Sequence, residues 1–164
     1  METFLIDLSY YIHFISGDKI IAGICAAVAL ILLAKKQFTQ FKIFSISTVL
    51  TVGLTLLIKN ITRIDRPIDA LIGLDGYAFP SGHAAISFFF LTFLINYILK
   101  SKRNKTFKII SISIFAIIAV LVSASRIILG VHTIFQVTAG AILGTLVTAW
   151  AIKIVSSLPS KHSE

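Results

Sequence analysis

The sequence predicts an all-α membrane protein, a polytopic helical bundle of about five transmembrane helices preceded by an N-terminal amphipathic helix. Three observations predict it. Of the 164 residues, 57% are hydrophobic and only 13% are charged, whereas a soluble domain carries about 25% charged residues. The apolar residues gather into five runs, at about residues 19–34, 42–58, 83–99, 107–124 and 133–154. Each is near the short end of the roughly 17–25 residues that cross a bilayer as a helix, so little tilt is expected. The basic residues flank these runs instead of coating one face, which favours lipid headgroups over nucleic acid as the partner of the +8 net charge.

The elements follow in order. In residues 1–18, Phe4, Leu5, Leu8, Tyr11, Ile12 and Ile15 recur at helical spacing, with Glu2, Asp7 and Ser9 off that stripe. This predicts an amphipathic helix lying in the interface or packed on the bundle, with a distorted sixth span as the alternative. The acidic start and the lack of a basic region before an apolar one argue against a signal peptide. The bundle is expected over residues 19–155 and a cytoplasmic tail over residues 156–164. Cys25 is the sole cysteine, so there is no intrachain disulfide. In the last run Gly140 and Gly144 form a small-xxx-small pattern that lets helix backbones approach within the bundle, and Trp150 and Lys153 suit interfacial anchors.

Five spans sort the linkers into two sides. One side holds Lys35, Lys36, Lys42, Lys100, Lys102, Arg103, Lys105, Lys108, Lys153 and Lys161, ten of the fifteen basic residues, with Glu164 as its only acid. The other holds Lys19, Lys59, Arg63, Arg66 and Arg126 with six acids. The excess of Lys and Arg predicts that the first side is cytoplasmic.

Three polar clusters then share the extracytoplasmic end. Lys59 and Arg66 are seven residues apart, two helical turns, with Pro67 expected to turn the chain out of the helix at Arg66. A lone Lys at a span end often just snorkels to the headgroups; Lys59, Arg66 and Arg126 together ask for an anion. Arg63 is a secondary candidate. Pro80, Ser81, Gly82 and His83 precede an apolar helix. Ser81 is a natural N-cap, Gly82 permits close backbone approach, and the free N–H groups of the first turn favour an anion. In residues 125–136, Arg126 ends one run, Gly130 breaks the chain and His132 opens the next. Gln136, at i+4, can accept the Nδ1 proton of His132 and leave Nε2 free as a nucleophile.

These residues form the pattern K-x6-R-P, P-S-G-H and S-R-x5-H. Over about residues 42–155 the chain resembles the type 2 phosphatidic acid phosphatases, the PAP2 superfamily. The resemblance implies a helical membrane phosphatase acting on phosphatidic acid, phosphatidylglycerol phosphate, lipid A or polyprenyl diphosphates, with neither metal nor other cofactor. It implies that His132 attacks phosphorus to form a phosphohistidine and that His83 protonates the leaving oxygen and then activates water. Lys59, Arg66 and Arg126, with Ser81 and the Gly82 amide, would hold the phosphoryl oxygens. One position departs from the family, which places Asp where this chain has Gln136. A neutral amide can still orient the ring, or an Asp could be borrowed from Asp65, Asp69 or Asp75, or the enzyme is weakened. We expect a working variant, because His-Thr-x-x-Gln resembles lipid A phosphatases and some polyprenyl diphosphate phosphatases.

The function expected is therefore lipid phosphate hydrolysis at the periplasmic face of a bacterial inner membrane. Lipid A 1-phosphate is the first substrate choice, followed by phosphatidylglycerol phosphate and undecaprenyl diphosphate. Two rivals are a lipid phosphotransferase using the same phosphohistidine and a small transporter. Against the transporter, the charges collect at one rim and not along a path through the membrane.

Overall fold

A computed structural model describes residues 2–158 and shows six α-helices, with no strand among those residues. They are α1 (Glu2–Ile15), α2 (Asp18–Ala34), α3 (Phe38–Thr62), α4 (Gly82–Leu99), α5 (Lys105–Ile128) and α6 (Ile134–Ser157). The expected tail falls partly within α6, and residues 159–164 lie outside the described residues. Helices α3 to α6 form the bundle, with α4 packed on α3, α5 and α6. Helix α2 packs on α3, and α1 packs on α5.

The core is divided along the bundle axis. At the end away from the three clusters, Phe44 meets Phe89, Phe90 and Phe93 with ring centroids 5.0–5.6 Å apart, a range in which tilted and edge-on aromatic pairs attract. Leu32, Ile43 and Val155 close this cluster from α2, α3 and α6. Between α4 and α6 the contact is backbone on backbone. A Cβ on Gly140 would stand 2.3 Å from the Ser81 carbonyl oxygen, and one on Gly144 would stand 2.0 Å from that of Ala85. The small-xxx-small pattern thus serves packing within the bundle, and it presses α6 against the start of α4, where His83 sits.

Most large apolar side chains on the outside face away from the protein, as a lipid-facing bundle requires. Helices α3, α4, α5 and α6 are each long and apolar enough to cross a membrane. A fifth span exists if α1 and α2, which meet at a 51° bend, are taken as one broken span. Helices α3, α5 and α6 run to 25, 24 and 24 residues, longer than the apolar runs that announced them. Polar residues such as Asn60, Thr62, Ser123, Ser125 and Arg126 continue the helices past the point where hydropathy fades. These three helices therefore extend beyond the apolar runs at one or both ends.

Helix α1 is amphipathic in the reverse sense to a soluble helix. Its buried position is Ser9, with Ile12 and His13 half-buried beyond it and Ser16 buried just past its end, while Phe4, Tyr11 and Phe14 are exposed. In a hydrocarbon solvent the apolar stripe gains nothing by turning inward. Small residues such as Ser9 instead let α1 approach α5 closely.

Candidate active site

Helix α3 stops at Thr62, where Arg63 adopts a left-handed conformation (φ 49°) and its N–H bonds the Lys59 carbonyl. Lys59 and Arg66 are therefore not two positions on one helical face, as their spacing suggested. They meet because residues 63–81 fold back over the bundle, tied by Ala78 N–H to the Ile64 carbonyl (2.7 Å) and Leu71 N–H to the Leu129 carbonyl (3.0 Å). Lys59 Nζ donates to the Tyr77 carbonyl. Arg66 donates from Nη2 to the Asp75 carbonyl at 3.3 Å and from Nη1 to the Val131 carbonyl at 3.3 Å. Arg63 is exposed, bonds the Asn60 carbonyl and takes no part in lining the cavity described below.

The second cluster opens α4. Ser81 occupies the N-cap position, but its side chain makes no capping bond, and its buried Oγ has no partner among the described residues. The expected hydroxyl cap is thus corrected. Ser81 N–H bonds the Gln136 carbonyl at 3.0 Å, joining this cluster to the third. Phe79 stacks on Phe135 at 5.4 Å and reinforces that junction. Gly82 and His83 face the cavity, with the amides of the first turn and the positive end of the helix dipole behind them. His83 Nε2 is buried and has no acceptor or donor among the described residues.

The third cluster is the α5–α6 turn. The Arg126 carbonyl accepts both Val131 N–H and His132 N–H at 3.2 Å, which ties the His132 backbone to the end of α5. The turn needs Gly130, whose φ is +68° and whose added Cβ would stand 3.1 Å from the Asp69 carbonyl oxygen. His132 lies just before Thr133, the N-cap of α6, and Thr133 and Gln136 form a capping box. Gln136 Oε1 accepts the Thr133 N–H at 3.1 Å and stands 3.1 Å from His132 Nδ1. Arg66 Nη1, which can only donate, stands 3.4 Å from His132 Nε2. Together these contacts set the tautomer: the proton is on Nδ1 and the lone pair on Nε2 points into the site.

All three clusters line one cavity of about 790 Å³. Its polar end carries Lys59, Arg66, Arg126, His83 and His132, and its apolar walls include Ile21, Cys25, Val52, Leu56 and Phe89. Arg126 is fully buried, yet its Nε and Nη2 have no acceptor among the described residues, and neither does Arg66 Nε. Buried cationic donors without acceptors are unfavourable unless an anion satisfies them, so the polar end is built for a multiply charged oxyanion. No group of three or more His, Cys, Asp or Glu with metal-holding geometry occurs among the described residues.

His132 is held uncharged. Burial lowers its pKa from 6.5 to about 3; Gln136 opposes the shift, while Arg66, Lys59 and Arg126 add to it. The unfolded chain takes up a proton near 6.5 and the folded one does not until about 3, so stability falls as pH drops through that window. Histidine-selective NMR is expected to show the His132 ring neutral at pH 5; a ring that titrates near 6.5 contradicts this.

Gln136 supplies the second test. Removing its acceptor in Gln136→Ala frees the His132 ring and lowers turnover by about 10- to 100-fold, the range typical for partners that orient a reacting group. Gln136→Glu and Gln136→Asp keep an acceptor and should retain substantial activity. Unchanged turnover in Gln136→Ala removes the orienting role. None of Asp65, Asp69 and Asp75 takes the place of Gln136: Asp75 lines the cavity and offers its carbonyl to Arg66, and the neighbour of His132 Nδ1 is the amide.

Sequence reasoning missed two groups at this site. His13 and Asp18, from either side of the α1–α2 joint, line the same cavity. The available signal was the spacing of Ser9, His13 and Ser16, a polar stripe that faces inward when the solvent is lipid.

The PAP2 superfamily model matches residues 40–160. No curated protein sequence matches significantly. Two solved structures share the fold. The PAP2-type phosphatidylglycerolphosphate phosphatase from Bacillus subtilis superposes with a TM-score of 0.81 at 20% identity, over 97% of this chain and 80% of that one. LpxE from Aquifex aeolicus gives 0.68 at 21% identity, over 93% of this chain and 85% of that one.

Proposed function

The chain belongs to the PAP2 superfamily, and we propose that it is a multi-pass membrane lipid phosphatase working through a phosphohistidine on His132. The observation that carries this reading is the His132 ring, with Nδ1–H given to Gln136 and Nε2 turned toward buried, anion-seeking guanidinium groups. Nε2 attacks phosphorus in line, the P–O bond to the lipid breaks, and His83 gives its proton to the leaving oxygen. Water then attacks the phosphohistidine, His83 takes up the water's proton, and the P–N bond breaks. Lys59, Arg66, Arg126 and the first-turn amides at Gly82 neutralise the charge that grows on the phosphoryl oxygens.

The active site faces the periplasm of a bacterial inner membrane on this reading, supported by the Lys and Arg excess at the opposite end. The lipid phosphate is lipid A 1-phosphate, for which the His-Thr-x-x-Gln sequence speaks. Phosphatidylglycerol phosphate is the second reading, favoured by the fold shared with the Bacillus subtilis phosphatase. Phosphate release by the purified protein from a panel of lipid phosphates, with and without chelator, tests all of this. Release from one lipid class, unchanged by chelator, is expected, because three cations already supply the positive charge. Loss of activity in chelator, restored by a divalent cation, overturns the metal-independent mechanism. Lipid flux without phosphate release supports a transporter instead.

A further inference from the structure

His13 belongs to none of the three clusters and lies 113 residues from Arg126 in sequence, yet its Nδ1 stands 2.8 Å from Arg126 Nη1. A guanidinium nitrogen only donates, so Nδ1 accepts and the ring proton is on Nε2. The bond takes up one corner of the Arg126 fork. It leaves free the edge formed by Nε and Nη2, the two buried donors without protein acceptors. That edge is the one by which a guanidinium grips two oxygens of a phosphate at once.

We propose that His13 is a positioning residue that locks the Arg126 guanidinium with its Nε–Nη2 edge toward the phosphoryl group. The inference rests on the phosphatase reading above, in which that anion is the substrate phosphate. The fold explains how an N-terminal residue reaches the site. Helix α2 packs on α3 and α1 packs on α5, so the joint between them passes over the start of α4. There the His13 ring stands 6.5 Å from the His83 ring. Tyr10, one turn before His13, ties α1 to the loop over the site through a bond from its hydroxyl to the Leu71 carbonyl (3.0 Å).

The lock works only while His13 is uncharged. A protonated ring presents N–H to a donor and sets two positive charges side by side. The charged and titratable groups facing His13 are Arg126 from α5, His83 from α4 and Asp18 from α2, with Lys59 and Arg66 beyond them in the cavity. Burial disfavours the charged form most, Arg126 adds to that, and Asp18 favours it. Activity therefore carries an acid limb that belongs to His13.

Three proteins test this: the full-length wild type, His13→Ala and His13→Gln, whose amide oxygen can accept from Arg126 and does not titrate. His13→Ala is expected to lower kcat/KM for a lipid phosphate by about 10- to 100-fold, the consequence of losing a bond to a charged group. His13→Gln is expected to recover most of that loss and to move the acid limb relative to wild type. The substrate's own phosphate ionisation is common to all three and cancels in the comparison. Inorganic phosphate binding by calorimetry runs in parallel and needs no turnover. If no lipid is hydrolysed yet phosphate binding weakens in His13→Ala and returns in His13→Gln, the phosphatase reading fails and the positioning role stands. Equal losses in both variants, or wild-type kcat/KM in His13→Ala, overturn the role.

Discussion

Replacing His132 with alanine is expected to lower kcat for phosphate release by about four orders of magnitude or more, the scale seen when a nucleophile acting in a concerted unit is removed. The expectation follows from how many independent contacts aim this ring. Its backbone N–H is held by the Arg126 carbonyl, its Nδ1 by Gln136, and its Nε2 faces Arg66. Alanine removes the lone pair while leaving Lys59, Arg66 and Arg126, the cations proposed to bind phosphate. Inorganic phosphate or a lipid phosphate should therefore still bind, and kcat should fall far more than KM changes. A variant that keeps wild-type melting behaviour in detergent and still turns over at more than a few per cent of the normal rate shows that another group attacks phosphorus.

The second large effect is on stability. Gly144→Ala is expected to destabilise the protein by about 3 kcal/mol, the upper range for overpacking, which is roughly 6–12 °C in thermal midpoint for a chain of this size. The added Cβ would stand 2.0 Å from the Ala85 carbonyl oxygen, a backbone atom that cannot move without displacing α4. Gly140→Ala meets the Ser81 carbonyl oxygen at 2.3 Å and should lower activity as well as stability, because it pushes on the residues that carry His83. Gly53→Ala in α3 is the control. Nothing lies within 4 Å of its added Cβ, and the helix propensity gained is worth up to about 1 kcal/mol. A thermal shift assay in detergent reads all three. Equal midpoints for Gly144→Ala and Gly53→Ala contradict the close α4–α6 contact.

Much of this molecule is legible in its sequence because the bilayer imposes so strong a pattern. Five apolar runs, the basic linkers and the Gly140–Gly144 spacing suffice for a helical bundle with one polar end. The same runs mislead at their edges, where Arg126 and its serine neighbours continue α5 although hydropathy has already dropped. The three clusters are visible as residues that belong together, but the geometry that unites Lys59 with Arg66 is not. Helical spacing pointed to a shared face, whereas a left-handed Arg63 and a folded loop produce the meeting. Gln136 drew attention as a departure from a family motif. The i+4 spacing already placed its amide beside His132 Nδ1; the structure adds that the same side chain caps α6 while its backbone carbonyl accepts the Ser81 N–H. His13 was hidden for a physical reason. An inward face made of Ser9, His13 and Ser16 has the polarity of an outward face in water, and the sign reverses in lipid.

The most direct test of the phosphohistidine is stereochemical. Hydrolysis of a lipid phosphorothioate made chiral at phosphorus with two oxygen isotopes, run in water that carries the third, proceeds through two in-line displacements on this account, attack by His132 Nε2 and then by water. Each inverts phosphorus, so the released thiophosphate, chiral through its sulfur and three oxygen isotopes, should retain the configuration of the substrate. Inversion would mean that water attacks the lipid phosphate directly, and His132 would then not be the nucleophile.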